Sequence, residues 1–288
     1  GRAATLSYNR QHDILGWTQQ ILGGAFSGAD AVVDDVAIIP GASDTTQIND
    51  SDERDEVWLL VKRTVNASTV RYIEVLEKVF EGVLRQDYSS EEAWLDAQAS
   101  AQEDAFYVDC GISYEGASTT TITGLTHLEG QSVEVLANGR VHTAETVSGG
   151  QITLDFAATK VQVGLSYTSK YESLKLAVGA TVGTAINKVK AITGCGFVVL
   201  DSGAFKATTV DYDDYSGRRQ HDLQDVTFHR SDTRPSNATI PLATGEKSVS
   251  LESSYPPDAR IYIESDLPLP LTILALAPEM KGTDARAT

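Results

Sequence analysis

The chain has 288 residues, 41% of them hydrophobic, with 40 acidic against 23 basic side chains and a formal net charge of −17. That is enough material for two or three cores, because a single core stops growing near about 250–300 residues. The negative field repels a phosphate backbone and argues against sequence-reading nucleic-acid binding, and no apolar run reaches the ~18 residues of a membrane-crossing helix.

The first elements are apolar runs at 31–39, 57–64 and 70–76. Val57-Trp58-Leu59-Leu60-Val61 reads as a buried strand, and Arg71-Tyr72-Ile73-Glu74-Val75 alternates. Asn66-Ala67-Ser68 supplies the turn of a hairpin between them. The acidic, polar stretch between Pro40 and Glu56 is expected to be an exposed loop. A helix is expected from Ser89 to about Glu103, because Ser89-Ser90-Glu91-Glu92 has the form of a capping box. Ala93, Ala97 and Ala101 would stack on one of its faces.

Short strands follow at 119–123, 132–137, 140–146, 151–156 and 160–167. Asn138-Gly139 signals a two-residue hairpin turn with positive φ at both positions, and Ser148-Gly149-Gly150 the next turn. Strands recurring about every ten residues suggest a separate small barrel or sandwich. Further strands are expected at 186–192, 197–200, 247–251, 260–264 and 271–276. Residues 201–244 read as a long polar loop and hence an interaction arm, and 281–288 as a frayed tail.

Chemical motifs are sparse. His12, His127, His142, His221 and His229 show no metal-binding spacing. The stretch Asp211-Tyr212-Asp213-Asp214-Tyr215-Ser216-Gly217 begins like a calcium loop but has Tyr and Ser where that loop needs an acidic or amide residue and Gly. Gly194-Cys195-Gly196 reads as a turn rather than a nucleotide cradle. Cys110 and Cys195 lack CxxC spacing and read as free, packed thiols. Asn66-Ala67-Ser68 and Asn237-Ala238-Thr239 match the glycosylation acceptor pattern, which Ser- and Thr-rich loops produce by chance. There is no GxSxG, Walker loop or Ser/His/Asp pattern, so no catalytic, cofactor-binding or metal residues are assigned and no cofactor is expected.

Several blocks, taken together, resemble one family. Tyr8-Asn9-Arg10-Gln11-His12-Asp13-Ile14-Leu15-Gly16-Trp17 is similar to a "YxRExxVLGWxR" segment, and 55–74, containing Val57-Trp58-Leu59-Leu60-Val61-Lys62-Arg63-Thr64, to "DxVWLxVKRTxNGxTVRYIE". Asp104-Ala105-Phe106-Tyr107-Val108-Asp109-Cys110-Gly111-Ile112-Ser113-Tyr114 resembles "DAFFVDSGLTY", and Gly124-Leu125-Thr126-His127-Leu128-Glu129-Gly130 resembles "GLDHLEG". Ala259-Arg260-Ile261-Tyr262-Ile263-Glu264 and the Leu-Pro run at 267–276 look like the family's C-terminal end. The family is that of the nozzle proteins of short-tailed bacteriophages, also called tail tubular protein B. Cys110 stands for its Ser and Ala67 for its turn Gly, and 201–244 matches none of its blocks.

The resemblance implies a mainly β, multi-domain chain. Residues 1–84 would be the end of a propeller-like domain, 85–105 a helical connector, 106–170 a small inserted barrel-like β domain, and 171–288 a C-terminal β domain with a long loop at 201–244. Residues 111–167 further resemble, as a fold analogy only, a small β domain of ubiquitin-activating enzymes. The chain begins at Gly1 and its only methionine is Met280, so it is expected to be part of a longer polypeptide. The implied role is a non-enzymatic virion component, a homohexameric ring below the adaptor protein that encloses the DNA exit channel. Its implied partners are other copies of itself, the adaptor and tail fibres. DNA would pass without sequence-specific binding, and no stable membrane insertion is implied. The alternative is a carbohydrate-binding or host-adhesion β-protein of a phage tail, using exposed aromatics such as Tyr212 and Tyr215. A polysaccharide-degrading enzyme is a third reading, which would need two carboxylates across a cleft.

Overall fold

The computed structural model describes residues 3–11, 13–40, 55–176, 189–213, 217–228, 239–256 and 258–282. The chain is mainly β, with one α-helix and several sheets, one of them curled as a half-barrel. Residues 1–81 and 103–167 form one compact unit, and 82–102 with 168–288 form a second. The expected strand region and small β domain thus fall together, and most of the helical connector falls with the C-terminal strands.

In the first unit, β1 (Ala3–Asn9) and β2 (Ile14–Gln20) make an antiparallel two-stranded sheet with Leu6 opposite Trp17 and Tyr8 opposite Leu15. Two short strands, β3 (Ala25–Phe26) and β4 (Ala29–Asp30), pair next. A three-stranded antiparallel sheet follows in the order β5 (Val32–Ile39), β6 (Glu56–Val65), β7 (Ser68–Val75). The polar stretch expected to loop after Pro40 lies at 41–54, outside the described residues. Val65 pairs with Ser68, so the β6–β7 turn is Asn66-Ala67, with φ of 47° and 60°. Positive φ at both central residues gives the twist that joins adjacent strands.

The rest of this unit is a four-stranded antiparallel sheet in the order β10-β9-β11-β8, from β8 (Asp109–Thr123), β9 (Ser132–Ala137), β10 (Arg140–Thr146) and β11 (Gln151–Leu165). β9 and β10 take the bounds read from the sequence, and Asn138-Gly139 turns between them with φ of 48° and 70°. The expected break at 157–159 does not occur, because β11 runs through it with its register slipping on either side of Ala158. The slipped amides are satisfied from the hairpin turn. Asn138 Oδ1 accepts from Thr159 N at 3.0 Å and Lys160 N at 3.1 Å. Ile122, Leu125, Val133, Val135, Val161 and Val163 anchor the core.

The second unit opens with α1 (Glu91–Gln102). Its N-terminal cap is Ser90, whose Oγ accepts from Ala93 N at 3.2 Å. The cap lies one residue beyond the expected Ser89–Glu92 box. The third helical position is therefore Ala93, which has no carboxylate to return the bond. Eight strands follow: β12 (Ser169–Glu172), β13 (Lys190–Ser202), β14 (Phe205–Asp213), β15 (Gly217–Gln220), β16 (Gln224–Val226), β17 (Ala243–Ser250), β18 (Asp258–Ser265) and β19 (Thr272–Gly282). One sheet runs β12-β18-β14-β15 with β16 also on β14, and the other runs β17-β13-β19. Their facing sides share a core of Ile192, Phe197, Val199, Phe205, Ile261 and Ile263, with the Phe197 and Phe205 rings edge to face at 5.2 Å.

Three expectations are corrected here. Gly194-Cys195-Gly196 is no turn but the middle of the central strand β13, paired on both sides. The register against β19 shifts between Ile192 and Gly194, a bulge that lets both Ile192 and Cys195 face the core. Residues 201–244 are not one long loop, since they hold β14, β15 and β16 and the start of β17. Their polarity misleads because Thr208 and Thr209 are buried, their hydroxyls donating to Asp222 O at 2.9 Å and to Glu252 O respectively. Residues 214–216 and 229–238 of this stretch, 177–188 before β13, and 283–288 of the expected tail lie outside the described residues. The tail's first two residues, Lys281 and Gly282, belong to β19.

Ala67 holds a backbone conformation that costs an L-residue about 1–2 kcal/mol and glycine almost nothing. Ala67→Gly is therefore expected to stabilise the full chain by about 0.5–1 kcal/mol after glycine's greater unfolded-state entropy is deducted. The urea midpoint should rise without a change of slope. An unchanged or lower midpoint would mean that the turn relaxes without strain.

Candidate functional site

In β6, Val61, Arg63 and Val65 alternate onto one buried face, and the arginine is 0% exposed. A guanidinium there needs every donor engaged. Arg63 Nε donates to Gly23 O at 2.8 Å, Nη2 donates to Glu74 Oε2 at 3.0 Å, and Nη1 donates to Glu74 Oε1. Gly23 N in turn donates to Asp109 Oδ2, at the start of β8. Glycine is required at position 23, since a Cβ there would lie 2.6 Å from Ser166 O. Burial raises the Asp109 carboxyl above its ordinary range, against the lowering effects of the Gly23 amide and Arg63.

The same joint continues through β7. Tyr72 OH donates to His127 O at 2.8 Å and its ring meets the imidazole edge-on, 6.0 Å between centroids. His127 Nε2 lies 2.9 Å from Cys110 O, which can only accept, so that nitrogen carries the proton. Cys110 sits at φ 51°, and burial, with Glu74 beside it, pushes its thiol up to about 12. Cys195 is likewise raised by burial, to about 11, and both cysteines are free thiols, Cys195 buried and Cys110 half-buried.

In the second unit the outer face of the β12-β18-β14-β15 sheet carries a charged lattice. Glu172 Oε1 accepts from Tyr212 OH at 2.6 Å and Arg260 Nη1 at 3.4 Å, and Glu172 Oε2 accepts from Arg218 Nε at 3.2 Å. Arg260 lies over the Tyr212 ring at 4.3 Å and bonds Asp258 at 2.9 Å. Tyr212 is therefore covered by a guanidinium on one face and tied at its hydroxyl. Tyr215 lies outside the described residues.

The core side of β14 brings together Asp211, His221 and Ser254, a grouping spread too widely along the sequence to read there. Asp211 Oδ2 accepts from His221 Nε2 at 2.6 Å, from Ser254 N at 3.2 Å and from Ser254 Oγ. The residue types are those of a hydrolase triad, but their order is not. The carboxylate stands between serine and histidine, so the histidine is not placed to take the serine proton. With Thr209 holding Glu252 O, the cluster clamps the segment that leads into β18.

His142 is buried, accepting at Nε2 from Asp155 N at 3.0 Å and donating at Nδ1 to Thr143 O at 2.8 Å. His12, His229 and Asn237 lie outside the described residues, and Asn66 is an exposed turn residue. The calcium-like stretch ends β14 and starts β15, with Asp211 turned to the core side. Among the described residues no group of three or more His, Cys, Asp or Glu is placed to hold a metal ion. A groove of about 520 Å³ opens beside β12 and β19, lined mainly by Tyr171, Ile263, Ile273, Leu274 and Leu276. No helix is long and apolar enough to cross a membrane among the described residues. No protein-family model matches the sequence, and neither does any curated protein.

Removing one partner of a buried ion pair leaves the other charge uncompensated, at a cost of roughly 3–5 kcal/mol. Glu74→Ala is expected to cost about 3 kcal/mol in urea unfolding of the full chain, because Glu74 keeps some solvent contact. The double variant Arg63→Met, Glu74→Leu should cost less than Glu74→Ala alone. A loss under about 1 kcal/mol for Glu74→Ala would show that the pair is not a structural anchor.

The sign for Asp109 follows from its raised pKa. The folded state holds the Asp109 proton more tightly than the unfolded state, so ionisation of Asp109 lowers stability as pH rises from its ordinary value toward the raised one. Asp109→Asn should therefore gain stability relative to the parent at pH 7, with the difference shrinking as pH falls toward 4. A difference that does not vary with pH would remove the titration argument.

Proposed function

We propose that the chain is a structural, non-catalytic subunit of a short-tailed bacteriophage tail, forming with its copies a hexameric nozzle ring below the adaptor that encloses the DNA exit channel. The observation that carries this reading is the convergence of the resembling blocks. Arg63, Tyr72 and Glu74 come from the hairpin block, Asp109 and Cys110 from the block at 104–114, and His127 from the block at 124–130. All six meet at the buried joint of the first unit. Separate motifs that pack on one another behave as the parts of one fold do.

Assembly is supported by a second feature. The β1–β2 pair carries Leu6, Tyr8, Leu15 and Trp17, 42–68% exposed, as two directly opposed apolar pairs. A two-stranded ribbon is marginal alone in water, and an exposed apolar ladder on it is a surface that gains from being covered. Ring building by heterologous contacts needs stiff domains with such surfaces rather than a catalytic cleft. The excess negative charge suits a conduit whose polyanionic cargo slides without sticking, while copies, adaptor and tail fibres are the partners in the virion.

Electron cryomicroscopy of intact virions tests the reading. A six-fold ring of this chain below the adaptor, with acidic or neutral side chains lining the bore, is expected. Another ring order, absence of the chain from the tail, or a continuous Lys/Arg band along the bore would overturn it.

A further inference from the structure

The segment 82–102 departs from the first unit in sequence and returns to it, yet it packs as part of the second. None of its residues belongs to either apolar core cluster. The fully buried side chains of α1 are two amides, Gln98 and Gln102. Within the segment Gln98 Oε1 accepts from Val83 N at 3.1 Å, and Trp94 Nε1 donates to Val83 O at 2.9 Å. Toward the strands, Gln98 Nε2 donates to Asp201 Oδ1 at 2.6 Å and Gln102 Nε2 donates to Ile240 O at 3.1 Å. Asp201 is held for this role at φ 42°, its carboxylate also accepting from Thr244 Oγ1 at 3.1 Å. Gly82 lies against that carboxylate so closely that a Cβ would come within 2.2 Å of Oδ2.

Bonds of this kind exchange for bonds to water at small net cost, whereas apolar burial does not. A helix of 12 residues is marginal once detached. From this we infer that 82–102 is a releasable strap: it opens as one unit when the Gln98–Asp201 latch breaks, while the two sheets of the second unit stay closed. Opening converts a docked helix into free chain.

Hydrogen exchange on the full chain, read by mass spectrometry, decides the matter. Amides of α1 are expected to exchange at least about tenfold faster than those of β13, which is paired on both sides, as sub-global opening requires. Gln98→Ala should speed exchange in α1 by several-fold and leave β13 unchanged. Gly82→Val, which crowds the latch from the other side, should do the same. Protection of β13 in the same run reports that each variant is folded. Exchange of α1 in step with β13 in the parent, or equal acceleration of both in each variant, would overturn the strap.

Discussion

The first unit depends on one buried guanidinium. Arg63 occupies a position in β6 where the alternation of Val61 and Val65 calls for an apolar side chain. A charge there is tolerable only because three groups from outside β6 were brought to it: both oxygens of Glu74 and the carbonyl of Gly23. That demand fixes how β7 pairs with β6, makes the chain before β3 pass close by, and through the Gly23 amide draws in Asp109 at the start of β8. Gly24 is required by the same crowding. Its φ is +83°, and a Cβ there would stand 3.0 Å from Arg63 Cδ. An apolar residue at 63 could have filled the space without any of these constraints. The ionic solution exchanges intrinsic stability for a unique arrangement of the sheet against its neighbours.

The second unit uses polar groups differently. Thr208, Thr209 and Asp211 lie buried in β14, each bonded to a carbonyl, hydroxyl or imidazole from a connecting segment, Asp211 through Oδ2 alone. They act as fasteners between the sandwich and its connections, whereas Phe197, Phe205, Ile261 and Ile263 fill the space between the sheets. On the outer face Glu172 shares its two oxygens among one tyrosine and two arginines, so cross-strand neighbours on β12, β14, β15 and β18 neutralise one another. A strand such as β14, which buries Thr208, Thr209 and Asp211, cannot display a simple apolar alternation.

This difference explains which parts of the fold were legible in the sequence. β9 and β10 could be read because Asn138-Gly139 permits little except a tight hairpin and the flanking residues are β-branched or apolar. β14 could not, because Thr208, Thr209 and Asp211 look like loop residues until their partners at 222, 252, 221 and 254 are in place. The Gly194-Cys195-Gly196 reading failed for a related reason. Glycine marks turns locally, but here the glycines serve a bulge and a close approach, with Val249 O only 3.1 Å from a Cβ at position 194. α1 is legible from its serine caps, but its spacing, with Ala93, Ala97 and Ala101 on one face, gives no sign that Gln98 and Gln102 are its buried residues. Of the joint around Arg63, the sequence offered only the family-like blocks, with no sign that they would meet.

Polar interiors also bear on what the chain can do. Among the described residues, burial pushes the Cys110 thiol up to about 12, Asp211 accepts from both His221 and Ser254, and both ring nitrogens of His142 face backbone partners. The exposed apolar ladder of β1–β2 is the feature least explained by the isolated chain. With a formal net charge of −17, any contact between copies would have to overcome long-range repulsion, and short-range apolar burial is the interaction able to do so.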